Sequence, residues 1–138
     1  MKIAIINGPN LNLLGKRETA IYGNESFDIF FETIQMKYPN IEFSYFQSNV
    51  EGELINELHR VGFDYDGIVF NPGGYTHTSV SIGDAVAAIS TKVIEVHISN
   101  IYSREEFRKT SFVSPNASGV IMGMGLQGYD LAVQHFMK

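Results

Sequence analysis

The sequence contains no cysteine, which removes disulfides, thiolate nucleophiles and Cys-based zinc sites from consideration. No apolar run approaches the length of a bilayer span. The opening stretch Met1-Lys2-Ile3-Ala4-Ile5-Ile6-Asn7 is too short for a secretory signal and has no cleavage-like region. The expected location is therefore the cytoplasm, and the sequons Asn24-Glu25-Ser26 and Asn116-Ala117-Ser118 read as chance matches. Basic side chains are in the minority, 10 against 15 acidic ones for a formal net charge of -5. That balance argues against a nucleic-acid surface or an anionic-membrane surface. Also missing are the Gly-x-Ser-x-Gly elbow of the α/β hydrolases and the Walker phosphate loop. Asn7-Gly8 follows the first strand, where a phospho-acceptor module would need acidic residues. There is no internal repeat, linker or low-complexity segment.

What is present fits one domain over residues 1–138, with 44% apolar and 18% charged residues. Short β-branched runs at residues 3–6, 41–46, 66–70, 93–98 and 119–123 read as strands. Helical spacing follows most of them: from Ser26 to Tyr38-Pro39, over 51–61 up to Gly62, over 80–89, and over 127–136. Strands alternating with helices predict a parallel sheet covered on both faces. Five strands on this plan predict a flavodoxin-like α/β fold of order 2-1-3-4-5, with ligand at the carboxyl ends of strands 1, 3 and 4.

The run Asn71-Pro72-Gly73-Gly74-Tyr75-Thr76-His77-Thr78-Ser79 lies at one such strand end. Turn geometry and a Thr/Ser N-cap account for part of it, namely Pro72, Gly73, Gly74 and Thr78. Asn71 and His77 go beyond a turn's needs and point to a polar binding site. Glu95, His97 and Ser99 alternate onto one face of the fourth strand. A carboxylate beside a histidine can fix its tautomer and favour its protonated form, which suits a general acid. Arg104 and Arg108 stand i,i+4 in a charged stretch read as a helical turn and are suited to an anionic or hydroxylated ligand. The loop 16–23 carries Arg17 and Tyr22 between Gly15 and Gly23. Gly123-Met124-Gly125-Leu126-Gln127-Gly128 resembles a dinucleotide fingerprint only superficially, since no acidic unit follows. His59 and His135 fall on helices away from the strand ends and read as structural. On these residues alone, an enzyme and a flavodoxin-like small-ligand or nucleotide-binding module without turnover both remain open.

Taken in order, several motifs together resemble type II 3-dehydroquinate dehydratase over essentially the full length. They are Asn7-Gly8-Pro9-Asn10-Leu11-Asn12-Leu13-Leu14-Gly15, Arg17-Glu18, Tyr22-Gly23, the 71–79 run, Glu95-Val96-His97-Ile98-Ser99-Asn100, Arg104-Glu105-Glu106-Phe107-Arg108 and Gly128-Tyr129 with Leu131-Ala132. The resemblance implies dehydration of 3-dehydroquinate to 3-dehydroshikimate through an enol or enolate, in the shikimate pathway. It implies no metal, no other cofactor and no lysine imine, and a dodecamer built as a tetramer of trimers. By motif, Tyr22 matches the base, His97 the acid with Glu95 as its partner, and Arg17 the lid arginine. Asn10 matches a residue that helps hold a water near the enolate. Asn71, His77, Arg108 and the Ile98-Ser99 backbone match substrate-binding groups, and Asp84 matches an aspartate reaching a neighbouring subunit's site.

Two positions depart from the pattern. Thr19 stands where the lid usually has proline, which implies a looser lid. Gly83 stands where arginine is common. Helical spacing through 85–89 predicts ordinary helical dihedrals at Gly83, so alanine there is expected to add roughly 0.4–1 kcal/mol of stability.

Overall fold

In the computed structural model, which describes residues 1–16, 20 and 25–138, the β-branched runs pair as five parallel strands. These are β1 (Lys2–Asn7), β2 (Glu42–Gln47), β3 (Gly67–Asn71), β4 (Val93–His97) and β5 (Gly119–Met122). Their spatial order is β2-β1-β3-β4-β5, as the alternation of elements predicts. Among the described residues the helices α1 (Phe27–Lys37), α2 (Glu51–Val61), α3 (Val80–Ala88) and α4 (Gln127–Phe136) flank the sheet. Among the described residues no helix is long and apolar enough to cross a membrane.

Alternation along β1 sends its side chains to two separate cores. Ile3 and Ile5 pack with Phe27 and Ile34 of α1 and with Tyr129, Ala132 and Val133 of α4. Ala4 and Ile6 pack with Leu54, Leu58 and Val61 of α2 and with Ile82, Ala85 and Val86 of α3. Both sides of β1 are thus dry, which is why its sequence is apolar without alternation.

Serines start two of the helices. The Ser26 Oγ accepts from the Ile29 amide at 3.4 Å ahead of α1. Ahead of α3 the cap is Ser79, not Thr78: its Oγ accepts from the Ile82 amide at 2.9 Å. Each satisfies an amide that the first helical turn leaves without a backbone partner.

Register aligns polar residues along the carboxyl edge. Asn7 sits beside Gln47 on one side and Asn71 on the other. The loops leaving β1 and β3 touch directly, with the Gly8 amide donating to the Asn71 carbonyl at 2.7 Å. A Cβ at Gly8 would stand 2.5 Å from the Pro72 carbonyl oxygen, so glycine is what lets the two loops meet.

Gly83 departs from the sequence expectation. It lies inside α3 without a positive φ, yet a Cβ there would be 2.3 Å from the Phe112 carbonyl oxygen. The absence of a side chain admits a neighbouring loop, a close approach that helical periodicity does not reveal. The Asn116 Nδ2 then donates to the Gly83 carbonyl at 3.0 Å, fixing the loop on the helix.

Candidate active site

The strand ends and the loops that leave them enclose a cleft of about 140 Å³. Pro9, Asn10, Leu11 and Leu14 line it after β1, and Asn71, Gly73, Gly74 and His77 after β3. His97, Ile98, Ser99, Ile101, Arg104 and Arg108 complete the wall from the β4 side. Of the sequence-derived candidates, Asn10, Asn71, His77, His97, Ile98, Ser99 and Arg108 therefore come together, with Arg104 beside them. Glu95 lies beneath His97, fully buried. Asp84 is exposed on α3 and does not line this cleft. Arg17, Thr19 and Tyr22 lie outside the described residues.

Asn71 is held by a buried network. Its Oδ1 accepts from the Gly73 amide at 3.0 Å, so it serves the turn as well as the cleft. Its Nδ2 donates to the Tyr129 hydroxyl at 2.9 Å, and that hydroxyl donates to Asn7 Oδ1 at 2.7 Å. Tyr129 is wholly buried, and burial pushes its phenol well above the usual tyrosine range. It therefore stays neutral, a fixed strut and not a base. Asn10 adopts a left-handed conformation, φ 69°, and its amide donates to Asn49 Oδ1 at 3.0 Å. Asparagine is among the few side chains that tolerate this geometry.

The two histidines are oriented from opposite ring atoms. His97 Nε2 is 2.8 Å from Glu95 Oε1. Thr76 Oγ1 also donates to Oε1, and Ser114 Oγ donates to Oε2. Thr76 has one hydroxyl proton and spends it on Glu95, so Ser111 Oγ, 2.7 Å away, must donate to Thr76. Every one of these donors points toward the carboxylate, an arrangement that needs an ionised Glu95. Burial works to raise the Glu95 pKa, but the hydrogen bond and charge of His97 and the two hydroxyls outweigh it. The carboxyl is held below its ordinary value. With Nε2–H committed to Glu95, Nδ1 is the ring nitrogen left for chemistry.

His77 is the converse. Its Nδ1–H donates to the Thr110 carbonyl at 2.8 Å, leaving Nε2 as an acceptor. Burial lowers its pKa, the Thr110 bond opposes this, and the nearby charges of His97 and Arg108 lower it further. The rings of His77 and His97 stack at 6.4 Å between centroids. One histidine is thus kept neutral beside another backed by a carboxylate.

Arg104 and Arg108 are not successive residues on one helical face. Short 3-10 turns cover Ile101–Ser103 and Glu106–Lys109, and Arg104 lies between them in extended backbone. They converge because the chain folds back between the two turns. Arg104 Nη1 donates to Ser99 Oγ at 3.3 Å. Arg108 Nε donates to Glu105 Oε2 at 3.2 Å, a pair at the exposed rim.

Thr110, Ser111 and Ser114, which orient these groups, carry no motif or periodicity in the sequence. The signal available was length: the connection from Ser99 to Ser118 holds neither strand nor α-helix, and such long loops are usually functional. The glycine run 123–128 serves the fold: the Gly123 and Gly125 amides donate to the His97 and Ile98 carbonyls at 3.2 and 3.1 Å. His59 and His135 are exposed on helices away from the cleft.

The family model of dehydroquinase class II matches residues 1–137. The 3-dehydroquinate dehydratase of Fusobacterium nucleatum is 52% identical, over 100% of this chain and 97% of its own length. That of Bacillus pumilus is 50% identical, over 97% of this chain and 92% of its own. The crystal structure of the type II dehydroquinase from Butyrivibrio crossotus superposes with a TM-score of 0.95 at 49% identity, covering 100% of this chain and 98% of that one. With a match that spans the whole described fold and the cleft at its sheet edge, the chain belongs to the class II dehydroquinase family.

Proposed function

We propose that this chain is a 3-dehydroquinate dehydratase, eliminating water from 3-dehydroquinate to give 3-dehydroshikimate in the shikimate pathway. The observation that carries the reading is the buried Glu95–His97 pair beneath an arginine-lined cleft in a chain of this family.

The reaction removes a proton α to a ketone and expels a β-hydroxyl. In this proposal Tyr22 takes the proton. Free tyrosine has a pKa of ~10, so a tyrosinate near neutrality costs about 4 kcal/mol. An adjacent arginine typically supplies ~1–3 pH units of that, the role given to Arg17. Asn10 holds a water against the enolate oxygen. The hydroxyl then leaves as water when His97, protonated and backed by Glu95, gives it a proton. The anionic Glu95 takes the Nε2–H and leaves Nδ1 to face the departing hydroxyl. The substrate carboxylate is bound by Ser99 and the backbone of Ile98 and Ser99. Asn71, Arg108 and the acceptor nitrogen of His77 orient its hydroxyls. A β-hydroxy ketone needs only this acid and base, with no metal or lysine imine, and no lysine is among the described residues lining the cleft.

The same reading makes the chain a cytoplasmic enzyme assembled as a dodecamer of four trimers. Asp84, exposed on α3, reaches the cleft of a neighbouring subunit within the trimer. Purified protein mixed with 3-dehydroquinate should generate the ultraviolet absorbance of a conjugated enone. An unchanged spectrum at high enzyme concentration would sink the proposal.

A further inference from the structure

We propose that segment 110–116 is a clip that positions both cleft histidines, and that Ser114 is a positioning residue acting on His97 through Glu95. This rests on the reading of His97 as the acid of the elimination. The segment is fixed at both ends of its short path. Near its start, the Thr110 carbonyl takes the Nδ1 proton of His77 at 2.8 Å. The Phe112 amide then donates to the Thr76 carbonyl at 2.8 Å, and the Phe112 carbonyl rests on bare Gly83. At its far end, Asn116 Nδ2 holds the Gly83 carbonyl at 3.0 Å. Between these anchors, Ser111 reaches Thr76 at 2.7 Å and Ser114 donates to Glu95. One loop that contributes no lining residue to the cleft thus sets the tautomer of His77 directly and that of His97 through one intermediary.

Proton direction makes Ser114 more than a spacer. Ser111 Oγ accepts from the Val113 and Ser114 amides at 3.1 and 2.9 Å, so its own proton is free to run to Thr76 and on toward Glu95. Glu95 Oε1 is shared by His97 and Thr76, while among the described residues Ser114 is the side chain that donates to Oε2. Without that hydroxyl a fully buried carboxylate oxygen has no donor, and the anionic form loses ground to the protonated one. A protonated Glu95 no longer demands Nε2–H from His97, so the ring loses its fixed tautomer. The charged and titratable groups around His97 among the described residues are Glu95 on its own strand, His77 from the turn after β3, and Arg104 and Arg108 from the far wall. Only Glu95 among them changes its hydrogen bonding when Ser114 is removed.

The test compares Ser114→Ala with Ser114→Thr, which keeps a hydroxyl at a half-buried position. Ser114→Ala should lower kcat about 10-fold to 100-fold, with KM within about twofold of the parent. Ser114→Thr should restore most of kcat. A parallel measurement needs no turnover: ¹⁵N-histidine NMR should show the Nε2–H tautomer for neutral His97 in the parent chain and a tautomer mixture in Ser114→Ala. A folded Ser114→Ala protein with an unchanged kcat and an unmixed tautomer would overturn the inference, as would a Ser114→Thr variant no better than alanine. A parent chain that turns over no 3-dehydroquinate yet shows the fixed tautomer, lost in Ser114→Ala, would instead defeat the proposed function and leave the clip standing.

Discussion

The carbonyl oxygen of Phe112 occupies the place where a side chain at residue 83 would begin, 2.3 Å from the position of a Cβ on Gly83. Backbone oxygen cannot swing aside as a flexible side-chain tip can. The substitution Gly83→Ala therefore forces loop 110–116 off α3, a strain of about 1–3 kcal/mol. This outweighs the entropy alanine would remove from the unfolded chain, about 0.4–1 kcal/mol. Urea unfolding should show Gly83→Ala less stable than the parent. A gain in stability would mean that the loop yields without cost.

Tyr129→Phe removes one hydroxyl from a fully buried position. The Asn7 Oδ1 loses its donor and the Asn71 Nδ2 loses its acceptor. Leaving a buried polar group unsatisfied costs about 1–3 kcal/mol, so for the two groups a loss of about 2–6 kcal/mol is expected, with weaker substrate binding as Asn71 loosens. Equal unfolding midpoints for parent and variant would show that water replaces the phenol.

Acid should weaken the fold in two stages. Both His77 and Glu95 have pKa values below their ordinary ones in the folded chain. Each therefore contributes stability that is fully present above its unfolded value and lost as pH falls through its folded value. Unfolded histidine titrates near ~6.5 and glutamate near ~4.3, so the decline begins below the first and steepens below the second. Urea midpoints across pH 8 to 4 check this, and His77→Asn should erase the upper stage alone. A flat midpoint from neutrality down to the carboxylate range would contradict it.

Sites built across subunits can be rebuilt by mixing. Tyr22→Phe and Asp84→Ala chains should each be nearly inactive. If the chain assembles as the trimers proposed, exchange places an intact Tyr22 beside a neighbour's intact Asp84 in some of them, and activity should return. If exchange is demonstrated and no activity appears, Asp84 acts within its own chain.

Much of the frame was legible because it is written in local pattern. The residues 3–6 and 67–70 carry no charged or polar side chain because helices cover both faces, and the strand order follows from the β-α alternation. The pairing of Glu95 with His97 followed from the two-residue period of a strand. What stayed hidden depends on contacts between distant segments. Nothing near Gly83 announces Phe112, and nothing near Ser114 announces Glu95. Arg104 and Arg108 both line the cleft, but 3-10 turns replace the helix that their spacing suggested. Asn71 looked surplus to its turn, yet its Oδ1 serves that turn and its Nδ2 grips Tyr129.

The most direct test is the enone absorbance assay run on the parent chain and on His97→Ala side by side, with circular dichroism showing both folded. The account predicts rapid conversion of 3-dehydroquinate by the parent and a fall of about 10²–10⁴-fold in kcat for the variant, the usual worth of a positioned acid. Full turnover by His97→Ala would contradict it, as would a folded parent chain that leaves the substrate unchanged.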